Sequence, residues 1–360
     1  MSGSGVWKKP PCPEEDNMEQ PLISVIIPCH NVAPWLNRCV DCLLDQPGPS
    51  REIILVEDSS TDDTSAICED YARRDLRVRV THVTFRDVSL TRNAGLDLAR
   101  GEYVAFSDGD DVVSPELLRS LAPVIEQYRP DLVRYGFRTV STAGETKDWV
   151  LPYPEGLCGS EELREHRLDG ISPRKVLDYS IPRVLSASAH LFRREFLNRI
   201  QLRFVSQKEI LSEDYLFVLR ALWEAETVCH LPRVLYDYLE HPGSLSHRPK
   251  ERMMERKRAL IQAYLAFLPG ENPEVRRRLR NFYIDSVYDC FVNACTQSSS
   301  RKEALALIRP LLKDEALGRC LRKNSADIVS AKTKCICFLM SHRMGLSMYL
   351  LYRLMTGRRN

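Results

Sequence analysis

The sequence predicts an α/β protein in which a mostly parallel sheet is sandwiched between helices and followed by a helical extension. Short runs rich in Val, Ile and Leu alternate with segments of helical spacing over residues 21–140. The connections are short, and strands that alternate with helices in this way pair in parallel, with helices on both faces. From about residue 250 the apolar spacing is helical to the end of the chain, which predicts the extension.

Each element is predicted from its own local pattern. Strands are predicted where apolar, β-branched or aromatic residues occur in a short row. They cover residues 22–27, 52–56, 78–83, 103–107 and 131–137. Helices are predicted where apolar residues recur three or four positions apart between start and stop signals, such as Pro34 in a first turn and Gly101 after a last one. They cover about residues 34–46, 61–73, 89–99, 116–128 and 191–197, and another begins at Glu213.

These elements divide the chain into three parts. Residues 1–20 contain no apolar core of the kind that secretory signals have, and they are predicted to be a disordered leader. Residues 21–248 are predicted to be the α/β domain. Residues 249–360 are predicted to be a helical region. Residues 141–180, rich in Gly, Pro and charge, give no clear pattern.

Charge is distributed unevenly along the chain. Residues 250–360 contain 22 Lys and Arg against 10 Asp and Glu, whereas the rest contains 29 against 39. From residue 331 onward there are six basic residues and no acidic one, among many apolar side chains. The segment 333–360 is therefore predicted to be a basic amphipathic helix that either lies on an anionic membrane surface or packs on the protein. Its apolar content weighs against nucleic-acid binding.

The twelve cysteines are scattered and form no metal-binding pattern. Cys39-x-x-Cys42 resembles half of a zinc or redox site, but no second pair with zinc-like spacing accompanies it. Without a secretory signal, this predicts buried apolar cysteines in a reducing cytoplasm. No charge-free apolar run of about 18 residues occurs, so at most a peripheral position on the inner face of the membrane is predicted.

Polar clusters follow three of the predicted parallel strands. They are Pro28-Cys29-His30-Asn31, Glu57-Asp58-Ser59 and Asp108-Gly109-Asp110-Asp111. In parallel α/β sheets ligands bind beyond the carboxyl ends of the strands, so the three clusters are predicted to converge on one crevice.

The residue types in this crevice suit a polyanionic ligand. Carboxylates hold Mg²⁺ or Mn²⁺ through hard oxygen atoms, and a diphosphate commonly completes the coordination of such an ion. Arg92 could neutralise a phosphate, and Asp58 or Glu57 could accept a hydrogen bond from a base. The alternative is that the acids only cap and turn the chain after the strands, and Asp-x-Asp alone does not decide between the two.

The order of the motifs along the chain is more specific than Asp-x-Asp alone. The chain resembles the family 2 glycosyltransferases, which have the GT-A fold, over about residues 21–248. The resemblance rests on six segments, PLISVIIPCHN, ILVEDSSTDDT, SLTRNAGLDLARGEYVAFSDGDD, LFRREFLNRIQLRF, SEDYLFVLRAL and YDYLEHPGSLS. In style it is nearest to bacterial enzymes that build capsular polysaccharides or exopolysaccharides. It implies a nucleotide-binding half at 21–120 and an acceptor half at 121–248.

The resemblance implies a role for each motif residue. Asp214 is the expected catalytic base. The expected nucleotide-sugar ligands are Pro28, Asn31, Glu57, Asp58, Arg92 and Asp108. The metal, Mn²⁺ or Mg²⁺, is expected on Asp110 with Asp108, and Asp111 is expected to be structural. Further candidates for the diphosphate or acceptor are His241, Ser244, Ser246 and His190. Ser59 departs from the family, which often has Gly there, so the turn tests whether a positive φ is needed.

The activity implied is inverting, metal-dependent transfer of a sugar from a nucleotide diphosphate, a UDP-sugar by preference, to a hydroxyl of a glycan or lipid-linked saccharide. No covalent intermediate is expected. Two other classes stay open from the sequence. One is a catalytically inactive nucleotide-sugar-binding or scaffold relative, and the other is a phosphohydrolase that uses the aspartate cluster. The sequence does not identify the donor sugar, the acceptor or the oligomeric state.

Overall fold

The computed structural model describes residues 20–178, 185–241 and 250–356, and these form two compact units. The first unit comprises residues 20–158, 185–208 and 213–240. The second comprises residues 159–178, 209–212, 241 and 250–356. Residues 159–178 thus pack in the second unit, although the sequence places them in the α/β domain. The boundary between residues 248 and 249 stays a prediction.

The strands of the described residues form one mixed sheet in the first unit. They are β1 (Ile23–Cys29), β2 (Arg51–Asp58), β3 (Val78–Val83), β4 (Tyr103–Phe106), β5 (Val112–Val113), β6 (Leu132–Val140), β7 (Thr146–Trp149), β8 (Gly156–Leu157), β9 (His190–Arg193) and β10 (Val228–Leu239). The strand order is β3-β2-β1-β4-β9-β6-β10-β5, with β7 beside β6 and β8 beside β10. Strands β1 to β4 pair in parallel, as do β6 and β10, whereas β9 runs antiparallel between β4 and β6.

Helices alternate with the first strands and dominate the C-terminal region. In the first unit they are α1 (Ala33–Leu44), α2 (Thr64–Arg74), α3 (Val88–Leu98), α4 (Leu117–Tyr128), α6 (Arg194–Arg199) and α7 (Glu213–Glu224). In the second they are α5 (Ser160–Ile171), α8 (Met253–Phe267), α9 (Pro273–Gln297), α10 (Arg301–Leu312), α11 (Glu315–Lys323), α12 (Ala331–Ser341) and α13 (Gly345–Thr356). The predicted α/β architecture and the C-terminal helices are confirmed.

The parallel strands bring the three polar clusters to one edge of the sheet. Ile26 on β1 lies in register with Ile54 on β2 and Phe106 on β4, and all three side chains are buried. Helix α3 packs closely on β1, because a Cβ atom at Gly95 would lie 2.3 Å from a methyl carbon of Ile26. The strands are therefore fixed in position along their length, and the turns that follow β1, β2 and β4 emerge side by side.

One predicted element is wrong in its first half. Residues 191–197 are predicted to be helical, but His190–Arg193 form strand β9 and only Arg194–Arg199 form helix α6. The strand hydrogen-bonds to both β4 and β6, with Leu191 opposite Ala105 and Val133. Pairing with two strands distant in sequence thus overrides the local helical spacing.

The second unit is a helical assembly with its own core. The guanidinium of Arg278 on α9 is fully buried, and it donates to Glu274, Asp169 and the backbone oxygen of Ser172. These bonds compensate a charge that would be costly to bury alone. Within the three described ranges, no helix combines the length and the apolar character needed to span a bilayer.

The C-terminal hairpin, defined here as helices α12 and α13, has one face buried and one face exposed. Ile336, Met340 and Met348 lie in the core of the second unit. On the opposite side of α13 a line of three leucines is exposed, and it consists of Leu346, Leu350 and Leu354. The hairpin therefore packs within its own unit and still presents an apolar surface.

Candidate active site

Three consecutive turns at the carboxyl edge of the parallel strands contain a residue with left-handed backbone. These residues are Asn31 after β1 (φ 54°), Ser59 after β2 (φ 56°) and Arg86 after β3 (φ 49°). Such conformations cost free energy for residues other than glycine and cluster at binding sites, where surrounding contacts hold them. Ser59 answers the question raised by its sequence, because the turn does require a positive φ and here a serine adopts it.

The turns after β1 and β2 are bound to each other through Asn31. Its side-chain oxygen accepts a hydrogen bond from Thr61 N at 2.8 Å, and its backbone N–H donates to Ser60 Oγ at 3.2 Å. The His30 ring donates from Nδ1 to the backbone oxygen of Asp58 at 2.6 Å. The structure thus brings the predicted cluster at residues 28–31 together with the cluster at 57–59.

Asp58 is buried and holds the segment that leads into α3. One carboxylate oxygen accepts from Arg86 N at 2.8 Å, and the other accepts from Asp87 N at 3.0 Å and from the Thr91 hydroxyl at 2.9 Å. These contacts make Asp58 a positioning residue for the turn after β3. Its predicted contact with a nucleobase stays a prediction.

Glu57 is also buried and bonded on both oxygens. It accepts from Ser60 N at 2.6 Å and faces Nδ1 of His82 at 3.0 Å. The other ring nitrogen of His82 lies 2.6 Å from a carboxylate oxygen of Glu69. Burial opposes ionisation of Glu57, but the Ser60 and His82 donors outweigh it and lower its pKa. Glu57 therefore carries its charge within a network that shapes the turn.

The turn after β4 treats its three carboxylates differently. Asp111 N donates to the backbone oxygen of Asp108 at 3.1 Å, which closes the turn. The Asp111 side chain is buried and accepts from the Tyr236 hydroxyl at 2.6 Å and from Leu239 N at 2.9 Å. Asp108 and Asp110 remain partly exposed. The expectation that Asp111 is structural agrees with this arrangement.

Arg92 lies beside this turn and joins it to the start of α7. Its guanidinium is buried and donates to Asp108 Oδ1 at 2.7 Å, and it lies 3.5 Å from Glu213 Oε1. The guanidinium carbon also stands 5.5 Å from the ring centre of Phe204. Burial opposes the charge, but the Asp108 and Glu213 carboxylates outweigh it and raise the pKa of Arg92. A permanently charged group thus faces the acidic turn.

Asp214 occupies the first turn of α7, next to Glu213. Burial and, to a smaller extent, the Glu213 charge raise the pKa of Asp214 to about 7, although Arg92 acts in the opposite direction. A carboxylate with a pKa near neutrality can take up a proton in the working pH range, which suits a general base. The geometry therefore brings Arg92, Asp108 and the pair at 213–214 into one electrostatic cluster.

The remaining candidates are not part of this cluster in the described residues. His190 is completely buried in β9, where Nδ1 donates to Ser186 O at 2.8 Å and Nε2 faces Arg134 at 3.4 Å. Burial lowers its pKa to about 3, so it is a neutral buried residue, and its suggested contact with substrate stays a prediction. His241 belongs to the second unit. Ser244 and Ser246 lie outside the described residues.

The acidic turn suits a divalent cation by its donor chemistry. Asp108 and Asp110 are partly exposed and separated by a single residue, whereas the oxygens of Asp111 accept hydrogen bonds from Tyr236 and Leu239. Hard oxygen donors of this kind fit Mg²⁺ or Mn²⁺.

Tyr236 was not predicted as a site residue from the sequence, and its contacts with Asp108 and Asp111 span more than 120 positions. Its only sequence signal is its place in a motif of the later strand.

Comparison with solved structures identifies the fold. The chain is similar to TarS of S. aureus, residues 1–349, with a TM-score of 0.66 and 19% sequence identity, over 93% of this chain and 92% of that one. A second structure of the same protein, in complex with UDP-GlcNAc, gives a TM-score of 0.67. The fold is therefore the GT-A fold of glycosyltransferases.

Comparison of sequences identifies the family. The model of "Glycosyl transferase family 2" matches residues 24–201. The uncharacterized glycosyltransferase EpsJ of Bacillus subtilis (strain 168) is 35% identical over 309 residues, which cover 84% of this chain and 86% of EpsJ. The uncharacterized glycosyltransferase YibD of Escherichia coli (strain K12) is 27% identical over 250 residues, 67% of this chain and 68% of YibD. The chain belongs to glycosyltransferase family 2, and it is a glycosyltransferase enzyme.

Proposed function

We propose that this enzyme transfers a sugar from a nucleotide diphosphate, by preference a UDP-sugar, to a hydroxyl of a glycan or lipid-linked saccharide, with inversion and with a requirement for Mn²⁺ or Mg²⁺. One observation carries the proposal. The partly exposed Asp108, separated by one residue from the partly exposed Asp110, lies beside the buried cation Arg92 and near a carboxylate of raised pKa, Asp214. This combination can bind a polyanionic leaving group and can supply a general base.

The donor nucleotide is assigned to the crevice formed by the turns after β1 to β4. Asn31 and Asp58 lie there in two turns that hydrogen bonds join to each other. Pro28 and Glu57 are the other residues of these turns that we assign to the nucleotide. The TarS structure with UDP-GlcNAc, which shares this fold, supports a uridine nucleotide. Arg92 is assigned to the nucleotide or its diphosphate, because a guanidinium pairs well with phosphate oxygens.

Asp110, with Asp108, would hold the divalent cation. When bound, such an ion stabilises negative charge on the departing nucleotide diphosphate. The partly exposed position of both carboxylates supports this assignment. The Arg92 guanidinium, 2.7 Å from Asp108, holds one of these carboxylates in place.

Asp214 is assigned as the base. A sugar hydroxyl is a poor nucleophile at neutral pH, and a carboxylate that removes its proton during attack contributes ~10²–10⁴-fold. Direct attack on the anomeric carbon, opposite to the leaving diphosphate, inverts the configuration. The pKa of Asp214, raised to about 7 by burial, supports this role because the group can bind and release the proton near neutral pH.

The test combines nucleotide binding with turnover. UDP and GDP are titrated into the full chain by calorimetry, once with MnCl₂ and once with EDTA. Release of the nucleotide from a set of nucleotide-sugars is then followed with a panel of saccharide acceptors. We expect binding that depends on Mn²⁺. We also expect Asp214→Asn to keep that binding and lose turnover by about 100-fold or more.

Glu126→Gln is the matched control, since Glu126 is an exposed acid on α4. It should bind and turn over like the wild type. If neither UDP nor GDP binds under any condition, the assignment of the crevice is wrong. If Asp214→Asn turns over like the wild type, the base lies elsewhere.

We also propose that the C-terminal hairpin rests on an anionic membrane surface at the inner face of the cell membrane. The exposed Leu346, Leu350 and Leu354 of α13 support this, as does the absence of acidic residues from position 328 to the end of the sequence. Apolar side chains flanked by basic ones bind the interface of anionic bilayers. Such a position would bring the enzyme near lipid-linked acceptors.

Deleting residues 333–360 is a poor test, because the deletion removes the core residues Ile336, Met340 and Met348. The double variant Leu350→Gln, Leu354→Gln changes only the exposed face. It should sediment less with vesicles that contain phosphatidylglycerol than the wild type does. Leu265→Gln is the control, since Leu265 of α8 is as exposed as Leu350. Equal sedimentation of all three proteins would contradict the proposal.

A further inference from the structure

The hydroxyl of Tyr236 is the structural centre of the acidic turn. Tyr236 lies on β10 opposite Val113 of β5, and only 3% of the residue is exposed. Its oxygen lies 3.1 Å from Asp108 N and 2.6 Å from Asp111 Oδ2. Since a backbone N–H can only donate, the phenol oxygen accepts from Asp108, and the phenol proton is donated to Asp111.

These bonds close a ring through the turn. Asp108 N donates to Tyr236, Tyr236 donates to Asp111, and Asp111 N donates back to the Asp108 carbonyl at 3.1 Å. Both the N–H and the C=O of Asp108 are therefore held. Asp108 and Asp110 are partly exposed in this turn, while the carboxylate of Asp111 is part of the ring.

Strand β10 supports the turn at two further points. Leu239 N donates to the second oxygen of Asp111 at 2.9 Å, and Leu235 O accepts from Ser114 N at 3.0 Å. Asp111 thus receives two donors on two oxygens, which an asparagine could not do because its amide nitrogen does not accept. This explains why a third acid stands beside two others despite the repulsion between like charges.

We propose that Tyr236 and Asp111 are positioning residues that hold Asp108 and Asp110 in the geometry required for binding the nucleotide diphosphate. This inference rests on the proposed function of the acidic turn. Neither residue touches the ligand in this account. Loss of the phenol oxygen leaves Asp108 N and one oxygen of Asp111 without this partner, and the turn loses its closed ring.

The test is Tyr236→Phe in the full chain, measured by calorimetry with UDP at several MnCl₂ concentrations and by thermal unfolding. The phenylalanine ring keeps the packing. We expect UDP affinity in saturating MnCl₂ to fall about tenfold, the size of effect that an unpaired buried polar group produces. We also expect the MnCl₂ concentration for half-maximal binding to rise.

Tyr71→Phe is the matched control. Tyr71 is also buried, and its hydroxyl donates to Asp41 at 2.6 Å, so the same type of phenol–carboxylate bond is lost away from the turn. Tyr71→Phe should lower the unfolding temperature and leave UDP affinity unchanged. Should Tyr236→Phe fail to fold, Asp111→Asn gives the same test, since it removes one acceptor from the ring at constant size.

The outcomes separate this inference from the function on which it rests. If the wild type binds UDP with Mn²⁺ and Tyr236→Phe binds it equally well, the positioning role is wrong and the proposed function stands. If the wild type binds neither UDP nor GDP, both are wrong. If both tyrosine variants weaken UDP binding to the same extent, the effect is general destabilisation and the positioning role is again wrong.

Discussion

The turn after β2 and the turn after β4 both carry clustered acids at the same edge of the sheet, but they use them in opposite ways. Glu57 and Asp58 are buried, and N–H or O–H donors occupy their oxygens. In the turn after β4 only Asp111 is buried, while Asp110 and Asp108, which accepts from Arg92, stay partly exposed. The buried acids, whose oxygens accept from backbone and side-chain donors, shape the backbone, whereas the partly exposed acids are the ones proposed to meet the ligand.

The largest expected effect comes from the exposed acids. Asp110→Asn should lower turnover by about 100-fold or more, because it removes a carboxylate charge assigned to the divalent cation that stabilises the leaving diphosphate. The midpoint of thermal unfolding should stay within about 1 °C of the wild type, since surface substitutions usually change stability little. Nucleotide release and scanning calorimetry on the same preparation measure both. A large fall in the midpoint would mean that Asp110 is structural, like Asp111.

The pH profile gives a second, smaller effect that sharpens the contrast. The base must be ionised to act, and burial raises the pKa of Asp214 to about 7. Turnover should therefore rise about tenfold per pH unit below 7 and level off above it. The residual turnover of Asp214→Asn should not show this rise with pH. If turnover instead rose and levelled off near pH 4, an acid with an ordinary or lowered pKa, such as Glu57, would control the rate.

The smallest effect is expected at the buried acids, and it concerns stability. Asp58→Asn replaces one acceptor oxygen by a donor, which leaves at least one of the Arg86 and Asp87 N–H groups poorly paired. The midpoint of thermal unfolding should fall by about 5 °C, which corresponds to about 1–3 kcal/mol. Asp63→Asn on the neighbouring α2 cap, which makes no cap bond with its side chain, serves as control. An unchanged midpoint for Asp58→Asn would remove the distinction between the two turns.

Much of the parallel half of the sheet can be predicted from sequence because its signals are local. Runs such as residues 53–56 and 103–106 are apolar on both faces, and this pattern is typical of buried parallel strands. The turns that follow carry the polar clusters, so their meeting at one edge follows from the parallel arrangement itself. Strand β9 could not be predicted, because its four residues are extended only through pairing with β4 and β6.

The candidate active site, too, can be predicted from the sequence only where local motifs specify it. Asp58, Arg92 and Asp214 carry distinctive motifs, and the structure brings Arg92 and Asp214 into one cluster with Asp108. His190 has the residue type of a ligand, but its neighbours in the sheet bury it completely. Tyr236 has no chemical signal of its own, and its importance comes from two contacts that reach across the fold. Local sequence specifies chemistry well, whereas burial and long-range contacts decide which groups can use it.

The position of β9 has a consequence for how the chain is made. During synthesis β1 to β4 and β6 are complete before residue 190 leaves the ribosome, and β9 then has to enter between β4 and β6. Until it does, both strands keep an unpaired edge, and such edges recruit other chains. A fragment that stops before residue 190 should therefore aggregate even though it contains all three polar clusters. Successful folding of this enzyme depends on a four-residue strand that arrives late.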